Sequence, residues 1–178
     1  MNTKLGFTAT MLTVGLLTAP VLAADRDDYK AFSQATTSLT QAIETAEKAQ
    51  GGQARAVDAE FEHDDGKSQY EIKVMNGDQV MTYHIDAASG QSTKAEEQGR
   101  LADFLGVNKV DAGKLNSAKT TLTQAIGVAE QNTNGKAMEA EIDEDTGGIH
   151  YEVTVLVGDD TREVEVDGST GEILKSER

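Results

Sequence analysis

Carboxylates are the residues best placed to do chemistry in this sequence. Glu60, Glu62, Asp64 and Glu71 stand at positions 1, 3, 5 and 12 of a calcium-loop count, and Glu141, Asp143, Asp145 and Glu152 repeat that count. Such a loop needs Gly at position 6. Asp65 and Thr146 stand there, with Gly66 and Gly147 one residue late, so an EF-hand is rejected. The spacing describes strands instead, on which residues two apart share a face. On that reading Glu141, Asp143, Glu152, Glu163 and Glu165 crowd one outer sheet face, with Thr154 among them and no Lys or Arg. Facing like charges destabilise a sheet, so such a face is screened by salt, bridged by a cation or covered by a basic partner. A solvated acidic face is the plainer alternative. The corresponding residues upstream, Glu60, Glu62, Glu71, Lys73, Thr82 and His84, make a more mixed face.

Other catalytic patterns are missing from the sequence. The three histidines, His63, His84 and His150, are replaced in the other copy of the internal repeat described below by Glu144, Glu165 and Gln69, so no metal site is assigned to them. There is no G-x-S-x-G elbow and no H-E-x-x-H motif. Gly66, Lys67 and Ser68 look like the tail of a phosphate loop, but Phe61 stands where its leading Gly belongs. With no cysteine there is no thiolate nucleophile, disulfide or Cys-based metal centre. With 31 acids against 16 bases the formal charge is -15, which argues against nucleic acid, whose binding rests on Lys and Arg. No catalytic residue, cofactor or metal is therefore assigned, and the chain reads as a non-enzyme.

The elements that hold these carboxylates are written twice. Residues 38–43 (SLTQAI) return as 121–126 (TLTQAI), and residues 70–74 (YEIKV) return as 151–155 (YEVTV). The offset shortens from 83 to 81 between the two matches, a two-residue change that a loop absorbs cheaply. In each copy an apolar stripe at three- and four-residue steps predicts a helix: Leu39, Ala42, Ile43 and Ala46, then Leu122, Ala125, Ile126 and Ala129. Ser38 with Gln41, and Thr121 with Gln124, fit a capping box, and Gly51 and Asn134 suit the helix ends. Period-two alternation then predicts three strands, with Phe61, Tyr70, Ile72, Val74, Tyr83 and Ile85 inward in the first copy and Ile142, Tyr151, Val153, Val155, Val164 and Val166 in the second.

The expected fold class is α+β, two similar small modules, each a helix on a three-stranded antiparallel sheet. The modules span residues 36–92 and 118–175, with 93–117 a linker carrying a short helix over 94–105; another short helix is expected over 25–35. Residues 1–23 read as a signal peptide: Lys4, an uncharged stretch over 5–17, and Val21, Leu22 and Ala23 before the cut. Export to the periplasm or cell exterior follows, with no stable membrane insertion once the signal is removed.

A capped helix ending in A-I-x-x-A-E, an acidic first strand, Y-E-V-x-V and a closing V-D-x-S/T-G-E-I together resemble the PepSY domain. Residues 121–174 carry the best match, and the first copy, with Ser89, Gly90 and Gln91 but no closing Ile-Leu pair, is the weaker. That family occurs in propeptides of thermolysin-like metalloproteases and in secreted or membrane-bound bacterial proteins. The resemblance implies an exported binding module that contacts a polypeptide partner and restrains a peptidase. It supplies no catalytic residues. The alternative is a cation-responsive acidic protein binding calcium or a similar ion weakly.

Overall fold

The computed structural model describes residues 26–51, 53–77, 79–100, 112–145 and 147–178. The expected signal peptide lies outside them. Helix α1 (Arg26–Ser33) leads into α2 (Leu39–Gln50), then β1 (Arg55–Asp64), β2 (Lys67–Asn76), β3 (Gln79–Asp86) and β4 (Ser92–Arg100). The second half repeats the plan with α3 (Ala112–Ser117), α4 (Leu122–Thr133), β5 (Lys136–Asp145), β6 (Gly148–Val157), β7 (Asp160–Asp167) and β8 (Ile173–Glu177). Among the described residues, no helix is long and apolar enough to cross a membrane.

Both capping boxes form: Ser38 and Thr121 accept from the backbone NH of Gln41 and Gln124, whose side chains accept from the cap NH in return. Gly51 (φ 70°) and Asn134 (φ 55°, left-handed) end the helices at positive φ, which most side chains resist. The helix stripes and inward strand residues then close one core. Ala42, Ile43, Tyr70, Ile72, Val74, Ile126, Tyr151, Val153, Val155, Val164 and Val166 have essentially no exposed surface. Phe61 is half-buried, edge-on to Phe32 of α1 and Tyr70.

Two corrections concern the sheet. Each half contributes four strands, not three, because β4 pairs with β3 and β8 pairs with β7. Ser92–Arg100 occupies the start of the stretch expected as helix at 94–105. These outermost strands are almost wholly exposed, so neither carries the apolar alternation that marks a half-buried strand. The second correction is larger. The halves share one eight-stranded antiparallel sheet, ordered β4-β3-β2-β1-β5-β6-β7-β8, instead of forming separate sheets. The join is short: Asp58 faces Glu141, Ala59 faces Ala140 and Glu60 faces Glu139.

Candidate interaction face

Much of the repeated motif turns out to hold the fold together. Tyr70 and Tyr151, buried in the middle strands, donate their hydroxyls at 2.6 Å to the Thr37 and Thr120 carbonyls in the loops before the helices. Glu47 and Glu130, near the helix ends, accept from the NH of Ala56 at 2.8 Å and Ala137 at 2.9 Å. Asp86 and Asp167 close the last turns, their carboxylates accepting from Ser89, and from Ser169 and Thr170. Those hydrogen bonds hold both aspartates below the usual carboxylate range. The residues most alike in the two halves are thus turn locks, caps and anchors.

What remains is the sheet face opposite the helices. The second-half register brings Glu141, Glu152 and Glu165 into one row across three strands, sets Glu163 beside Thr154, and pairs Asp143 with His150. The five carboxylates expected on this face therefore lie together. Two basic neighbours were missed. His150, only 7% exposed, lies among them, and Lys175 of β8 faces Glu165, so the face is not free of bases. The acidic row also does not stop at the module boundary, because Asp58 and Glu60 of β1 face Glu141 and Glu139 of β5. Only the shared sheet reveals this continuation. No single-repeat reading places residues of one half against the other.

Two cross-sheet rows result. One runs Thr82, Lys73, Asp58, Glu141, Glu152, Glu165, Lys175; the other runs His84, Glu71, Glu60, Glu139, Thr154, Glu163, Glu177. Lys73 bridges Asp58 at 3.2 Å and Glu71 at 3.3 Å. Burial raises the carboxyl of Glu60 to about 7, with Asp58, Glu71 and Glu139 adding to the rise and Lys73 opposing it. Asp58 is raised by burial against the pull of Lys73, Glu139 by burial and then Glu141 and Asp58, and Glu152 by burial and then Glu163, Glu141 and Asp143. Crowded, partly desolvated carboxylates of this kind gain from any positive charge brought to them.

Two of the clefts hold less chemistry than this face. One, lined by Phe32, Thr37, Tyr70, Glu130 and Ala137, sits where α1 and the two halves meet and holds a single titratable carboxylate among loop and core groups. Another, beside α2, is bordered by Glu44, Lys48 and the Ser89 turn and is open to solvent.

The family model described as the peptidase propeptide and YPEB domain, PepSY, matches the chain twice, over residues 37–96 and 119–177. No curated protein matches the sequence. Among solved structures, a candidate lipoprotein from Clostridium difficile 630 is similar at 23% identity, covering 80% of this chain and 93% of that one with a TM-score of 0.46. The YpmB protein from Bacillus subtilis is similar at 15% identity, covering 77% of this chain and 94% of that one with a TM-score of 0.33.

Proposed function

This chain belongs to the PepSY family, and we propose that it is an exported, non-enzymatic binding module that contacts a polypeptide partner through the acidic face of its sheet and restrains a peptidase. The observation that carries this reading is the continuous carboxylate surface from Asp58 to Glu165, on a face that the packed helices α2 and α4 leave uncovered. A basic surface laid on it relieves repulsion within the sheet while making its own contacts, so the partner's lysines and arginines gain twice. The family's place in peptidase propeptides makes a peptidase the natural candidate. The residues most alike between the repeats support a scaffold, since they are spent on caps, turns and buried anchors.

The test is capture of partners from the exported fraction, with inhibition assays on co-exported peptidases. Wild type should retain a basic protein and slow its peptidase activity, and Glu152→Gln with Glu163→Gln should weaken both, chiefly by slowing association. Capture that is indifferent to these two charges would move the partner off this face. A second reading is favoured by the raised carboxyl groups: the face binds a hard cation such as calcium weakly through oxygen ligands. Calorimetry with calcium separates the two, because only this reading gives saturable heat without a protein partner.

A further inference from the structure

The sheet brings together two groups of side chains that sequence comparison keeps apart. Glu62, Gln69, Glu71 and His84 occupy four neighbouring positions on β1, β2 and β3, paired Glu62 with Gln69 and Glu71 with His84. Asp143, His150, Glu152 and Glu165 occupy the same four positions on β5, β6 and β7, paired Asp143 with His150 and Glu152 with Glu165. Each quartet therefore holds two equivalent carboxylates and one imidazole. The imidazole has changed strands, from the third strand in the first half to the middle strand in the second. Compared position by position, His84 answers to Glu165 and His150 to Gln69, so neither histidine looks retained. In space both face the same pair of carboxylates.

We propose that Asp143, His150 and Glu152 form a binding site for a first-row transition-metal dication of the zinc type, and that Glu62, Glu71 and His84 form a weaker second one. In each group one ligand atom from every residue lies within 4.8 Å of the others. Zinc bonds of about 2.0 to 2.2 Å to nitrogen and oxygen require ligand atoms roughly 3 to 4 Å apart, so small side-chain movements complete either set. His150 provides the independent sign of a ligand. Its side chain is 8% exposed, and its Nε2 lies 3.8 Å from Asp143 Oδ2 and 3.7 Å from Glu165 Oε1, too far for a hydrogen bond to either. A nearly buried imidazole within ion-pair reach of Asp143 and Glu165 yet hydrogen-bonded to neither leaves room for an ion among the three. Glu165 then stands as a fourth oxygen or as the acceptor that orients the ring.

In the first half, Gln69 occupies the position of His150 and fills part of the space. Its Nε2 lies 3.0 Å from Glu62 Oε2 and 3.2 Å from His84 Nδ1. Its Oε1 is buried without a hydrogen-bond partner, and His84 Nε2 has only the Glu96 carboxylate, at 3.5 Å. An ion entering there must displace the amide, which makes this site the weaker. The imidazole separates the inference from calcium binding, since nitrogen favours zinc, nickel and copper over calcium or magnesium. It stands independently of the polypeptide-binding reading.

The test uses the purified protein, untagged and stripped by a chelator, titrated with zinc chloride in a calorimeter and with cobalt(II) chloride followed by visible absorbance. Two zinc ions should bind, and a tenfold excess of calcium chloride should leave that binding in place. His150→Gln should remove the tighter site, weakening it by about tenfold or more, and His84→Gln should remove the other, with the cobalt band falling in step. His150→Gln places in β6 the side chain that β2 carries at Gln69, and circular dichroism with unfolding of the metal-free variants confirms that the fold is intact. Glu44→Gln, exposed on α2 and outside both quartets and the acidic face, should bind as wild type. No zinc binding tighter than about 100 µM, or a stoichiometry that neither histidine variant changes, overturns the proposal. One ion, lost only with His150→Gln, upholds the second-half site and overturns the first-half one.

Discussion

Glu60 faces Glu71 on one side and Glu139 on the other, and its carboxyl is pushed up to about 7, first by burial and then by Asp58, Glu71 and Glu139 against the attraction of Lys73. A carboxyl raised on folding stabilises the fold fully below its unfolded value near 4.5, and that contribution is lost as pH rises through about 7. Asp58, Glu139 and Glu152 are shifted in the same direction. Stability should therefore rise as pH falls from 8 toward 5. Glu60 alone should contribute on the order of 1 to 3 kcal/mol after screening at its half-buried site. Denaturant unfolding across that range checks it, and Glu60→Gln should flatten the slope. Tyr151 makes the complementary case. Replacing it with Phe removes the 2.6 Å donor to the Thr120 carbonyl, which keeps only the longer bond from Arg55 at 3.3 Å, and should cost about 1 kcal/mol, read from the same unfolding curves.

Elements were legible in the sequence wherever burial imposed a period. The stripe through Leu122, Ala125, Ile126 and Ala129 predicted α4, and alternation through Tyr151, Val153 and Val155 predicted the inner face of β6; all these residues are buried. Ile126→Ala should lower stability by about 2 to 4 kcal/mol, since the side chain is fully buried and leaves a cavity. Gly135 joins α4 to β5, and an added methyl there would strike the Leu156 carbonyl oxygen and come within 2.6 Å of Val155 Cγ1. Gly135→Ala should cost about 1 to 3 kcal/mol in thermal or chemical unfolding, because backbone must move to make room. Strands β4 and β8 left no such signal. Their residues face solvent, Ile173 and Leu174 included, and hydrogen bonding to a neighbour selects for no particular side chain. The same limit hid half of the candidate face. Alternation places a carboxylate outward but does not say which strand lies beside it, so Glu139 opposite Glu60 could be read only from pairing.

At the scale of the whole molecule, the duplicated halves meet as two subunits of a dimer would. Ala59 faces Ala140, and these residues are equivalents in the two repeats, so the β1–β5 join pairs each half's first strand with the matching strand of the other. Such a contact is close to self-complementary. A fragment covering residues 112–178 would expose the β5 edge, and its best available cover is the β5 edge of a second copy paired through Ala140. The acidic rows oppose this pairing. A β5–β5 dimer sets Glu139 against Glu141 in both directions, as like charges across neighbouring strands. The fragment should therefore be monomeric at low ionic strength and dimerise as salt is raised to about 0.5 M, where the screening length falls to a few ångströms. Sedimentation at the two salt concentrations reads this directly, and Glu139→Gln with Glu141→Gln should give a dimer at both. A fragment that remains monomeric in every case would mean that the join in the full chain is held by its tether and by packing between the helices. The strand edges alone would then be too weak to hold two halves together.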